Sequence, residues 1–297
     1  MMGEIDLTLQ RYEIFNKVVE LKNITRAGEA LNLTQSTVSH ALKNLEEELG
    51  FRLLVRNHKG IRLTREGEKI YHYTRKIMYL NDLLLQEAEE LKGVEKGCVR
   101  VGTFASVTIN WIPTIFKVFE EKYPGISIEL VEDDYEGLER AVQTGEIDCC
   151  FTIKSPKKKI NFIPLKKDKL YCIVSKENPL HKQKKIKIKQ LEEYPVIKPK
   201  KGWDYEIETL LKQYEIQPKV EYEISDDQSI LALVQANIGI NIRPELVLQN
   251  IPHNIVPLDF EEDAYRVIGI GYNECLSPAG RKFVQTVIDL YQEYEQD

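Results

Sequence analysis

Apolar residues in the first ninety positions recur with helical spacing in three short runs and one long one. Leu9, Tyr12, Ile14, Phe15, Val18 and Val19 make one stripe of a helix over 9–19. A short helix follows Asn23 or Thr25, either of which can accept an orphan backbone N–H. It runs to about Leu31, with Ala27, Ala30 and Leu31 facing inward. Asn32-Leu33-Thr34 breaks the pattern, and from Gln35 the stripe restarts on Val38, Leu42, Leu45 and Leu49, so two helices flank a short turn. Gly50 to Arg56 reads as a strand, Asn57 to Gly60 as a tight turn and Ile61 to Thr64 as a returning strand. Thr64 can then cap a long helix over 66–92, with a near-heptad seam of Ile70, Tyr73, Ile77, Leu80, Leu84, Ala88 and Leu91. That is a rod of roughly 40 Å, which Gly93 and Gly97 end.

Beyond Lys96 the period switches between two residues and three to four. Strands are expected at 98–104, 126–132, 147–153, 169–175, near Val196-Ile197, and at 220–224, 238–242 and 265–272. Helices are expected at 112–122, 138–144, 203–213 and 226–236, with a last one from Ser277. The alternation implies an α/β unit with a largely parallel sheet.

Composition adds bounds. The 297 residues suffice for more than one domain, and 42% apolar with 30% charged residues is ordinary globular composition. No apolar run approaches the length of a spanning helix, and Met1 to Tyr12, with Glu4, Asp6 and Arg11, does not read as a signal peptide. The expectation is a cytoplasmic protein with no membrane contact. Cys98, Cys149, Cys150, Cys172 and Cys275 form no C-x-x-C pair and no grouping with the histidines, so no metal and no cofactor are expected. They read as small buried apolar residues or, alternatively, as redox-sensing thiols.

A net charge of −6 argues against nucleic acid on average, but its distribution points the other way. Phe51 to Arg65 carries Arg52, Arg56, Lys59, Arg62 and Arg65 with no acid. The helix before it crowds Gln35, Ser36, Thr37, Ser39, His40 and Lys43 on its outward side, near its N-terminus. Such groups suit a helix entering a major groove, although they also suit a solvated face. A basic hairpin directly after that helix tips the reading to a recognition helix with a wing, whose arginines hold phosphates.

Thr25-Arg26-Ala27, the run from Leu31 to Gly50, Leu53 to Arg56 and Leu63-Thr64-Arg65-Glu66-Gly67 resemble the DNA-binding domain of LysR-type transcriptional regulators. Trp111-Ile112-Pro113 and Phe119 to Pro124 resemble the first helix of that family's effector domain and the turn after it. Two positions depart from the family pattern: Gly28 stands where alanine is usual, and His40 where arginine is frequent.

The resemblance implies a multidomain chain. A winged helix-turn-helix domain over 1–65 is followed by a linker helix over 66–92, which dimerises through its seam. An effector domain over 93–297 has the two-lobed α/β fold of periplasmic binding proteins, with lobe I about 98–165 and 268–297 and lobe II about 166–267. Packing of the seam on its own domain is the alternative to a dimer. The DNA-facing set implied is Thr25, Arg26, Thr34, Gln35, Ser36, Thr37, Ser39, His40 and Lys43, with Arg52, Arg56, Lys59 and Arg62 on the wing. Partners are double-stranded DNA, further copies of the chain as a homodimer or homotetramer, a small-molecule effector, and RNA polymerase as a candidate.

Ser106 follows a strand end and opens a helix, so its hydroxyl and nearby N–H groups can hold an anion such as a carboxylate, or simply cap the helix. By resemblance Thr103, Thr152, Lys200, Trp203 and Gln228 lie at comparable loops. The lysines between Lys154 and Lys201 suit either an anionic effector or plain solvated surface. An enzyme is disfavoured: there is no G-x-S-x-G, H-E-x-x-H or P-loop, and only Gly269-Ile270-Gly271 in place of a dinucleotide fingerprint. A lone solute-binding protein would leave the first 92 residues unexplained. A cysteine-based redox regulator of the same family remains the third alternative.

Overall fold

Caps and stripes lay out the first elements of the computed structural model. It describes residues 2–57, 60–93, 96–154, 160–203 and 205–292, with the backbone alone at 2–8, 56, 57 and 250. The chain divides into two compact units, 1–94 with 144–146, and the remainder from 95.

In the first unit α1 (Met2–Leu21) is followed by α2 (Ile24–Ala30) and α3 (Gln35–Leu49). Asn23 caps α2, its side chain accepting from Arg26 N at 3.1 Å. Thr34 caps α3, accepting from Thr37 N at 3.1 Å, and Gly50 closes it in the left-handed region at φ 78°. Ile14, Phe15 and Val18 of α1, Ile24 and Ala27 of α2, and Val38, Leu42 and Leu45 of α3 converge with Leu53 into one core. Ala30, expected inside, is exposed; Gly28 is the buried residue on that turn. A Cβ at Gly28 would lie 2.7 Å from the Leu33 carbonyl oxygen, so the tight α2–α3 turn excludes the alanine usual there.

The strand β1 (Leu54–Asn57) starts later than the sequence suggests and pairs antiparallel with β2 (Gly60–Leu63). The N–H groups of Leu53 and Leu54 donate to Glu46 Oε1 at 2.7 and 3.1 Å, which ties the approach to the wing to α3 rather than to a neighbouring strand. Thr64 caps α4 (Arg65–Leu91) by accepting from Gly67 N at 2.8 Å. The start of α4 packs on α1: Thr74 donates to Asn16 Oδ1 at 2.6 Å in a buried contact, and Tyr71 meets Phe15 edge to face. Further along α4, Tyr73, Ile77, Leu80, Leu84 and Leu91 are exposed, Leu91 by 88%. Ile70 leaves this seam because it packs against the core of the first unit, and Ala88 is half-buried.

The second unit runs β3 (Gly97–Thr103), α5 (Ala105–Asn110), α6 (Ile112–Lys122), β4 (Ile126–Glu132), α7 (Tyr135–Thr144), β5 (Cys149–Ile153), β6 (Asn161–Ser175) and β7 (Lys185–Ile186). It continues through β8 (Pro195–Pro199), α8 (Tyr205–Gln213), β9 (Lys219–Ile224), α9 (Asp227–Gln235), β10 (Asn241–Pro244), β11 (Ile255–Phe260), β12 (Tyr265–Tyr272) and α10 (Pro278–Tyr291). The sheet is mixed, not largely parallel. β3 runs parallel to β4 and β5, whereas β12 is antiparallel to β5 and β6, and β10 and β11 are antiparallel to β6. The reason is β6: its 15 residues cross the whole unit, pairing β12 over its first part and β10 and β11 over its second.

Two cores straddle that strand. One gathers Val99, Val101, Trp111, Ile115, Phe119, Leu138, Phe151, Ile268 and Phe283. The other, around Leu170, Cys172, Val196, Leu210, Ile242 and Leu258, lies beyond residue 169 of β6 and before β12 returns. A lobe therefore forms on each side, and the chain crosses between them near 165–170 and 264–267.

Candidate functional site

Two places gather chemistry. The first is the N-terminal end of α3, where Val38, Leu42 and Leu45 take the inward stripe and leave Gln35, Ser36, Thr37, His40 and Lys43 exposed, with Ser39 half-buried. Thr25, Arg26 and Thr34 are exposed beside them, as are Arg52 and Arg62 near and on the wing. Lys59 lies outside the described residues, as does the side chain of Arg56, whose backbone pairs with Ile61.

Thr34 Oγ1 lies 2.8 Å from both Ser36 Oγ and Thr37 Oγ1, so three hydroxyls of the first turn hold one another in place. Lys43 pairs loosely with Glu47 at 3.4 Å, an exposed contact that costs little to break. His40 Nδ1 is 3.2 Å from Asn44 Nδ2. With the amide donating, Nδ1 accepts and the neutral ring points one N–H outward, a single donor where arginine would offer two.

The second place is a cavity of about 380 Å³ between the lobes of the second unit. Strand ends and helix starts from six separated segments build it: Phe104 to Asn110, Glu132 with Tyr135, Trp203 with Glu206, Ser225 to Leu231, Arg243 to Gln249, and Arg266. Arg266 opens β12 directly opposite Asp168 of β6. Its guanidinium donates to Asp168 Oδ2 from Nε at 2.8 Å and lies 2.7 Å from the same oxygen at Nη2. It also donates to Tyr135 Oη at 3.0 Å, Glu206 Oε1 at 3.2 Å and Ser106 Oγ at 3.0 Å. All five groups are buried. The network joins α5 and α7 of one lobe to α8 of the other, through strands that belong to both.

Burial alone would lower the Arg266 pKa, but Tyr135, Asp168 and Glu206 outweigh it and hold the guanidinium charged. Burial pushes the Glu206 carboxyl above its ordinary value, against the pull of Arg266. Arg243 of β10 is the second buried cation. Its Nη2 sits 2.8 Å from Asp227 Oδ1, yet neither Nη2 nor Nε makes an aligned hydrogen bond among the described residues.

Of the effector residues expected from sequence, Ser106, Trp203 and Gln228 line this cavity. Thr103, Thr152 and Lys200 do not. Thr103 is buried with its hydroxyl 3.1 Å from Thr108 Oγ1, Thr152 is buried and donates to Glu139 Oε1 at 3.2 Å, and Lys200 is exposed away from the wall. Ser106 does not cap its helix, because Phe104 holds the N-cap position; it faces the cavity from the first turn of α5. Its oxygen takes a hydrogen bond from Arg266, and α5 spans only 6 residues. Sequence reading missed Arg243, Arg266, Glu206 and Tyr135. The available signal was an arginine set inside each of two otherwise largely buried strands, Asn241–Pro244 and Tyr265–Tyr272.

Cys275 is exposed and Cys98 half-buried, unlike the buried set expected, but the three central cysteines do not behave as activated thiols. Cys149, Cys150 and Cys172 are buried, and burial pushes the Cys149 and Cys172 thiols up, away from thiolate formation. Among the described residues no cluster of three or more His, Cys, Asp or Glu side chains is placed to hold a metal, and no helix is long and apolar enough to cross a membrane.

Comparison with known proteins matches both regions. Residues 9–68 fit the model of the bacterial regulatory helix-turn-helix protein, lysR family, and residues 92–292 fit the LysR substrate binding domain. The chain is 25% identical over 290 residues to the uncharacterized HTH-type transcriptional regulator YvbU of Bacillus subtilis, covering 96% of this chain and 99% of the relative. Among solved structures, a full-length OxyR variant from Pseudomonas aeruginosa shares the fold at a TM-score of 0.79 and 19% identity, covering 97% and 98% of the two chains. Full-length CbnR complexed with its target DNA does so at a TM-score of 0.66 and 21% identity, covering 95% and 99%. A helix-turn-helix with a wing, a two-lobed α/β unit around a buried arginine network, and family matches spanning both make this chain a member of the LysR family of transcriptional regulators.

Proposed function

We propose that the chain acts at promoters as a cytoplasmic homodimer or homotetramer that reads DNA with α3 and the wing and answers to a small organic anion held between the effector lobes. The carrying observation is the division of labour on α3, where one stripe is buried and the other presents short polar groups at the N-terminus. Gln35, Ser39 and His40 read base edges, while Arg52, Arg56, Lys59 and Arg62 hold phosphates. The exposed apolar seam of α4, Tyr73, Ile77, Leu80, Leu84 and Leu91, is covered by the same helix of a second copy, and two recognition helices then meet an interrupted inverted repeat. CbnR, which shares this fold, has been solved with its target DNA, and this supports DNA binding by the chain.

In the cavity, Arg243 is the anion's partner, with Trp203 and Gln228 beside it. Ligand control is favoured over thiol control because the central cysteines are buried with raised pKa values. No catalytic role and no cofactor are assigned. An effector shifts the lobes only by its differential affinity for two arrangements.

The test is selection of genomic fragments by the purified protein at near-physiological salt, with sequencing of what is retained. Enrichment of an interrupted inverted repeat is expected. Retention without any shared repeat, over a range of salt and with candidate anions added, refutes the reading.

A further inference from the structure

The cavity wall has two unmet demands of opposite kind. Arg243 is 5% exposed; its Nη2 already pairs with Asp227 Oδ1 at 2.8 Å, though without aligned geometry, and its Nε is taken by no described residue. Glu206 is 8% exposed, and its Oε2 has no hydrogen-bond partner among the described residues, because Arg266 and Tyr135 both act on Oε1. Leaving either group unmet in a buried site costs about 1–3 kcal/mol, and more when it is charged. Both residues line the same cavity, and they are close enough for the Arg243 charge to pull on the Glu206 carboxyl.

The other polar groups of the wall are largely engaged. Arg266 is saturated by Asp168, Tyr135, Glu206 and Ser106. Asp226 accepts from Ser229 N at 2.7 Å and from its hydroxyl at 2.6 Å. Asn110 donates to the Ser106 and Leu246 carbonyls.

Charge count points the same way. Glu132, Glu206, Asp226 and Asp227 face two guanidiniums, Arg243 and Arg266, so the lining carries more negative than positive charge before anything enters. A bare carboxylate satisfies Arg243, leaves Glu206 Oε2 unmet and adds a further negative charge. A molecule bearing an ammonium beside its carboxylate meets both demands at no net charge. Between them Ile109, Leu231, Leu246 and Val247 supply an apolar wall for a side chain.

We propose that the molecule taken by this cavity is a zwitterion of the α-amino acid class, its carboxylate on Arg243 and its ammonium on Glu206 Oε2. This rests on the interlobe effector reading above and replaces its simple anion with a zwitterion that keeps the carboxylate. Burial and Arg266 act in opposite directions on Glu206, and an arriving ammonium sides with ionisation, so the carboxylate is the form that binds.

Calorimetric titration of the full-length protein with the proteinogenic L-α-amino acids, each at saturating range, tests it. The tightest binder is then compared with its des-amino acid and its decarboxylated amine. The amino acid is expected to bind roughly 10- to 100-fold more tightly than either analogue, the span of one charge-assisted hydrogen bond. In Glu206→Gln the ratio of amino acid to des-amino acid should fall to about 1. Because it is a ratio within one variant, a modest loss of stability cancels. In Arg243→Gln both acids should weaken together by about tenfold or more.

Saturable binding of no amino acid overturns the proposal. So does equal binding of the des-amino acid; if Arg243→Gln abolishes that binding, the interlobe effector site itself stands. Binding that neither variant alters places the ligand outside the cleft and overturns both readings.

Discussion

The recognition helix and the interlobe cavity are built by opposite routes. On α3 the outward polar groups are contiguous in sequence, exposed, and ordered by bonds between neighbours: Thr34 to Ser36 and Thr37, His40 to Asn44. The cavity takes its groups from segments as far apart as Ser106 and Arg266, buries them, and orders them by a charged network across two lobes. A surface reader can lose one residue and keep its fold. A buried reader couples each residue to stability, so recognition and folding are harder to vary separately there.

The sharpest way to break this comparison is Arg266→Ala, which leaves Asp168 and Glu206 buried without their cation. Removing one partner of a buried pair typically costs 3–5 kcal/mol, so urea unfolding of the effector unit should shift by that amount. A loss below about 1 kcal/mol would show that the network is not the keystone of the two lobes. Gln35→Ala should leave the melting temperature unchanged while weakening a cognate operator against random DNA by about 1–3 kcal/mol. An equal loss on both sequences removes Gln35 from base reading.

Gly28→Ala sharpens the local side. The Cβ would meet the Leu33 carbonyl oxygen at 2.7 Å, so the variant should lose about 1–2 kcal/mol despite alanine's better helix propensity. A thermal melt that rises instead would show that the turn relaxes freely. Arg62→Ala is expected to lower binding to all sequences and to reduce the slope of log affinity against log salt by about one unit, with no change in base preference.

The smallest effect is on pH. Glu206 is held above the unfolded carboxyl value, so the folded state binds more protons between the two, and stability falls as pH rises through that window. Glu206→Gln cannot ionise, so unfolding free energies measured from pH 5 to pH 8 should lose that slope. A slope identical to the parent's would assign the shift to other groups.

Much of the first site was legible because its signals are local. A cap, a stripe of period 3.6 and a basic hairpin lie within forty residues of one another. The same reading placed α6, β4 and β12 at their observed bounds. It placed β6 too short, since Pro164 interrupts the apolar stretch from Phe162 to Leu165 and Lys166 to Lys169 are all charged, and it passed over β11. It also took Thr103 and Thr152 for cavity residues. Strand ends can be read from a pattern, but the direction a side chain takes at such an end depends on which neighbour closes over it.

Sequence by itself determined the helix-turn-helix, the wing, the long apolar-seamed helix and the α/β character of the rest, because each is specified by periodicity and caps acting over a few residues. Only the tertiary structure decided that β6 spans both lobes, that Arg266 lies opposite Asp168, and that Arg243 and Glu206 face one cavity with unmet hydrogen bonds. Those facts arise from strand pairing between segments about a hundred residues apart, where the energy of a buried charge is set by partners that no local window contains.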